Sequence, residues 1–251
     1  MRQDSMARAP QGTEVTQAAS AQSSRGVAPR VVPFAIYLGF IGVASLLSWL
    51  SEQAPAVGSM PSLLQLWLYP VKTAAVLASL IWFWSQYDEL KDKPFADRND
   101  TALAVAVGVL VYGAWVRMDW PWATQGQAAG YDPFQAGATG GLALAAIRLF
   151  GAVMVVPVME ELFWRSFLIR YVMSSDFRTV RVGAFSVGSF VVTVALFGLE
   201  HHLWLAGMMA GAAYNVVLYR TGRIWPCILA HAVTNFILGL HVLMTGEWIW
   251  W

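Results

Sequence analysis

Seven apolar runs set the limits on what this chain can fold into. They cover about residues 31–50, 62–84, 101–118, 141–173, 182–199, 203–219 and 224–244. Each approaches the roughly 20 residues an α-helix needs to cross a bilayer, and the fourth exceeds one crossing. Lipid offers no partner for an open backbone N–H or C=O, so each run must close its own hydrogen bonds as a helix. The expected fold is all-α, a polytopic transmembrane helix bundle of about seven spans. Only 12% of the residues are charged, where a soluble domain carries about a quarter. Tryptophans such as Trp49, Trp82, Trp115, Trp204, Trp225 and Trp248 fall near run ends, as an aromatic belt at the headgroups requires.

The flanks follow from composition. Residues 1–30 are rich in Ala, Gln, Ser and Gly and have too little apolar surface to order themselves, so a disordered tail is expected there. Residues 31–251 are then one transmembrane helical domain. The first apolar run is not followed by a small-residue cleavage site, so no signal peptide is expected. Net charge is +1, which gives no reason to expect nucleic acid as a partner. The single cysteine, Cys227, has no internal disulfide partner and is expected to fill core space.

Orientation is read from Lys and Arg in the loops. Basic residues occur in the tail, at Lys91, Lys93 and Arg98, at Arg178 and Arg181, and at Arg220 and Arg223. The alternate loops carry only Arg117. The expectation is a multi-pass membrane protein, its N-terminus cytoplasmic and the lipid bilayer its first partner. Oligomeric state leaves no mark in the sequence.

Against this background the polar residues inside the runs stand out. Residues 156–173, VPVMEELFWRSFLIRYVM, carry two adjacent acids in an apolar stretch, and intramembrane acids point to function by default. Glu161 and Arg165 are four apart and stack on one helical face as a pair. Glu160 is rotated about 100° away and is left uncompensated, as a general base would be. The plain reading, two acids neutralised by arginines at a helix end, fits Arg165 as a compensating charge. Arg170 is expected to snorkel to the interface. The fourth run would be about 48 Å long as one helix, and Pro157 should kink it just before the acids. His201 lies one turn after Phe197, and His231 one turn before Asn235. Each pair shares a helix face, and polar pairs in lipid need partners. His202 and His241 read as interfacial. Counted along ideal helices at 1.5 Å per residue, Glu160, His231 and Asn235 reach about one level, while His201 sits about 8 Å too high. Gly207 and Gly211 form a GxxxG pair that can mark a close helix contact.

In order, EExxxR (Glu160, Glu161, Arg165), FxxxH (Phe197, His201) and HxxxN (His231, Asn235) resemble the CAAX protease and bacteriocin-processing (CPBP, or Abi) family of intramembrane endopeptidases, and within it the CAAX prenyl protease-related proteins. The resemblance covers about residues 141–240 and includes GxxxGxxYxxxxxxTGRIW from Gly207 to Trp225. It implies hydrolysis of a peptide bond in a membrane-associated protein or peptide. Glu160 would activate water with help from His201, and His231 and Asn235 would bind the oxyanion. Glu161 and Arg165 would support them. No cofactor is favoured. The alternative makes Glu160, Glu161, His201 and His231 ligands of zinc or another divalent metal. Ser166 stands where many members have Gly, a small-for-small exchange. HExxH, the soluble zinc-protease motif, is absent. The rival readings are a non-catalytic scaffold or immunity-type factor of the same fold, and a transporter with a proton-relay glutamate.

Overall fold

Each of the seven apolar runs folds into a helical rod in the computed structural model, which describes residues 11–53, 60–126 and 130–251. The rods are α1 (Gln11–Gln53), α2 (Met60–Trp82), α3 (Arg98–Trp115), a composite fourth rod, α7 (Val187–Leu199), α8 (Trp204–Thr221) and α9 (Ile224–Thr245). Among the described residues no strand occurs. Gly26–Leu50, Pro133–Met173 and Ile224–Thr245 are long and apolar enough to cross a membrane, while Leu66–Trp82 and Val187–Leu199 are shorter apolar helices. Large apolar side chains such as Leu46, Leu110, Leu142 and Met154 face outward, as lipid-facing positions do.

The fourth rod does not break at Pro157. It runs as α4 (Gly137–Phe150), a π-helical turn (Gly151–Val155), α5 (Val156–Glu161), a second π turn (Leu162–Leu168) and α6 (Ile169–Met173). The expected interruption therefore takes the form of a widened turn, the kind that collects at functional sites. In this register Val156 N–H bonds to the Gly151 carbonyl, five residues back. The next donor would be Pro157, which has no N–H. The Ala152 carbonyl is left for another partner, and Asn235 supplies it.

Three packing details position the later helices. α7 starts at Val187, not near residue 182, because Gly183 turns the chain at φ +81° and the Ser186 side chain caps the helix on Ser189 N–H. Counted from Val187, His201 lies ~21 Å along, level with Glu160 at ~20 Å from Met173. The short helix thus removes the depth mismatch. Gly207 faces the α7 backbone, where an added Cβ would come 2.9 Å from Gly198 Cα, and Gly211 faces the Phe197 ring. The GxxxG pair is therefore a close helix contact. Gly207→Ala should overpack this crossing and cost about 1–3 kcal/mol, read as an earlier thermal melt in detergent. On the other side, Gly108 brings α3 against α9, where a Cβ would meet the Ala230 carbonyl at 2.5 Å.

The end of the bundle holding residues 83–97 is tied by ions. Arg30 is 3% exposed and pairs with Glu89 at 2.5 Å. Its Nε also donates to Ser166 Oγ at 3.1 Å. Arg170 is buried, donates to Ser166 Oγ at 2.8 Å and lies 3.9 Å from Glu89. Two expectations change here. The tail does not extend to residue 30, since α1 is already helical at Gln11 and Arg30 is packed; residues 1–10 lie outside the described residues. Arg170 does not snorkel but is enclosed by the same acid. Burial alone would raise the Glu89 carboxyl, yet the Arg30 guanidinium and the Ser166 hydroxyl hold it below the usual range. Cys227 is fully buried in the core.

Candidate active site

Glu161 is the hub of the buried polar residues. It is 0% exposed, and its Oε1 accepts from Arg165 Nη1 at 3.2 Å and from His231 Nδ1 at 2.9 Å. The i, i+4 pairing holds across the π turn, and α9 brings the imidazole to the same oxygen. Arg165 is held on every side. Its Nε donates to Asn215 Oδ1 at 3.1 Å and its Nη2 to the Gly211 carbonyl at 3.2 Å, while its guanidinium lies 4.5 Å from the Phe197 ring centre. Asn215 in turn donates to Thr193 Oγ1 at 3.0 Å. A line of polar side chains thus links α7, α8, the fourth rod and α9.

This network orients His231. A carboxylate only accepts, so Nδ1 carries the proton and Nε2 points away from Glu161. Nε2 lies 4.0 Å from Glu160 Oε2. The Tyr214 ring stacks on the imidazole at 5.1 Å, fixed by its hydroxyl donating to Thr234 Oγ1 at 2.8 Å. Glu160 is 3% exposed, and its Oε2 is buried with no hydrogen-bond partner. Such an atom is costly in an interior and calls for an explanation.

His201 is oriented from the opposite wall. Its Nδ1 donates to the Phe197 carbonyl at 2.7 Å, leaving Nε2 as an acceptor, and the ring packs edge-on to Trp115 at 5.3 Å. The turn that carries it is clamped by Gln125, whose side chain donates to the Leu199 and His201 carbonyls at 2.7 and 2.9 Å. His202 joins that clamp by bonding the Gln125 carbonyl. Asn235 Nδ2 donates to the Ala152 carbonyl at 2.8 Å, the group that Pro157 leaves open. One of its N–H groups remains.

Glu160, His201, His231 and Asn235 all line one cavity of about 280 Å³. Glu161 and Arg165 are not among its lining residues and stand behind His231. The first three helices, which carry no motif, complete the wall with Tyr37, Tyr69, Lys72 and Trp115. Asn215 and Thr193 escape the sequence reading, and Tyr214 enters it only as a motif position, although a buried polar residue on an apolar helix is itself a signal. His241 stays near the helix end, bonded to Tyr112 at 2.8 Å and Glu247 at 3.2 Å.

Glu161 Oε1 is already shared by a guanidinium and an imidazole, whereas both histidines spend Nδ1 on hydrogen bonds and keep Nε2 free, the arrangement metal-ligating histidines also show. Among the described residues no three His, Cys, Asp or Glu side chains group as ligands would.

No curated protein and no solved structure matched the chain. Residues 142–237 match the family model described as Type II CAAX prenyl endopeptidase Rce1-like. That stretch contains all seven residues of the three ordered motifs, and with the apolar helices it marks an integral membrane protein. The segment that holds His201, His231 and both glutamates is thus similar to the CAAX prenyl endopeptidases.

Proposed function

We propose that the protein is an intramembrane endopeptidase that hydrolyses a peptide bond of a membrane-associated protein or peptide. One observation carries this reading: a buried, unpartnered carboxylate faces an imidazole whose other nitrogen is held by a second carboxylate. In the proposed reaction His201 Nε2 accepts one hydrogen bond from water, and Glu160 takes the proton as the water attacks the scissile carbonyl. The oxyanion is met by the free N–H of Asn235 and by Nε2–H of His231 in its imidazolium form. Glu160 finally returns its proton to the leaving amine. The chemistry needs no metal, and Glu161 and Arg165 position His231.

We infer that the N-terminus lies in the cytoplasm, on the alternation of Lys and Arg among the loops, and that the membrane is a bacterial inner membrane, on the resemblance to bacterial CAAX prenyl protease-related proteins. The Glu89 end would then be cytoplasmic and the Trp115–His201 end external. Purified protein in detergent, incubated with a pool of membrane-inserting peptides, should yield defined fragments by mass spectrometry. His231→Ala should lose them and melt earlier as well, because the bond that ties α9 to Glu161 goes with the imidazole. Undiminished cleavage by this variant would rule out the proposed oxyanion donor.

A further inference from the structure

Two basic residues in the cavity wall take no part in the reaction described above. Lys72 and Arg148 line the cavity that holds Glu160, and both also line a neighbouring cavity of about 260 Å³. Among the described residues neither forms an ion pair, and Arg148 Nε is buried without a hydrogen-bond partner. They are held by rings instead. Lys72 Nζ lies 4.1 Å from the Tyr37 ring centre and 4.8 Å from that of Tyr69. The Arg148 guanidinium lies 4.4 Å from Tyr69, 4.5 Å from Tyr131 and 5.5 Å from Trp251. Tyr69 and Tyr131 are themselves fixed, bonding the Arg148 and Leu66 carbonyls at 3.2 and 3.0 Å.

Two cations in one apolar bundle repel each other, and ring faces compensate them only in part. Their depth is informative. Lys72 is ~18 Å along its helix from Met60 and ~15 Å from Trp82, and Arg148 is ~17 Å from Gly137. Lipid phosphates lie near helix ends, so these cations are at the wrong level for headgroups. They share a cavity with the residues proposed to cut a peptide. We infer that Lys72 and Arg148 form a subsite for one carboxylate of the peptide substrate, with the guanidinium presenting a fork of donors and the ammonium a point charge. This rests on the endopeptidase reading for the identity of the ligand. The subsite selects substrates that carry an acid at a fixed distance from the scissile bond.

The test separates binding from cleavage by using full-length Glu160→Gln protein in detergent. The probes are three fluorescent membrane-inserting peptides of one sequence: one with a free terminal carboxylate, one amidated, and one amidated with an internal Asp. Anisotropy should show one acidic peptide binding about ten- to a hundredfold more tightly than the neutral one, the effect of a charge-assisted bond. Which acidic peptide wins tells terminal from side-chain carboxylate. Added Lys72→Gln or Arg148→Gln should erase the preference without weakening the neutral peptide, and Lys72→Arg should keep it. Equal affinities for all three peptides, or a preference that survives both glutamine variants, would overturn the subsite. Failure of the wild-type protein to cut any peptide would instead count against the endopeptidase reading and leave these affinities standing as the measure of the subsite.

Discussion

Glu160→Gln is expected to abolish peptide cleavage while leaving the fold intact. The two side chains have nearly the same shape, and no partner is lost at Oε2, which has none. Glu161, not Glu160, makes the bonds to Arg165 and His231 that hold the helices together. What changes is chemistry: an amide cannot take a proton from water. General-base catalysis contributes about 10²–10⁴-fold, so turnover should fall by that factor or to background. The melting temperature should stay near that of the wild type. The same variant separates the rival functions. A scaffold or immunity-type factor that needs only shape would keep its phenotype. A transporter would lose proton-coupled flux in vesicles and would show no cleavage in either form. Wild-type cleavage by Glu160→Gln would remove the general base from the mechanism.

The helices were legible because lipid enforces length and apolarity, and both leave a plain pattern. Helix ends were less legible. Val182, Ala184 and Phe185 extend an apolar run, but Gly183 and Ser186 begin α7 later. That five-residue error is what set His201 too high. The motif residues were legible as pairs four apart, and the structure gathers Glu160, His201, His231 and Asn235 around one cavity. Long-range charge pairing was not legible. Arg30 and Glu89 are 59 positions apart, and no local spacing relates them. A tail judged by average composition therefore looks unable to order, although its last residue, Arg30, is packed. The bond from Asn235 to Ala152 belongs to the same class, since it depends on a π register that only coordinates reveal. Ser166 shows the limit of reasoning by size. As a small residue it fits the place of glycine, yet its hydroxyl joins Arg30, Glu89 and Arg170 at the junction of α1, the 83–97 loop and the fourth rod.

Arg165→Met should cause the largest loss of stability of any single change in the site. Arg165 is 1% exposed and Glu161 0%, so water reaches neither charge. A buried pair of this kind adds little net stability compared with an apolar pair, because desolvation offsets the attraction. Removing one member is different, since the other stays buried and uncompensated, at a cost of about 3–5 kcal/mol. Here the loss extends further, because the Asn215 Oδ1 and Gly211 carbonyl lose their donor. Methionine fills most of the arginine's stem volume and limits the cavity term. For a chain of this size the melt should come roughly 10 °C earlier. Adding Glu161→Gln to Arg165→Met removes the stranded charge and should restore part of that loss, giving a double mutant more stable than the single one. Cleavage should not return with it, because a glutamine amide no longer balances or orients His231 as a carboxylate does. A double mutant no more stable than Arg165→Met would mean that the stranded charge is not what makes the single change costly. Restored stability with restored cleavage would mean that Glu161 does not orient the histidine.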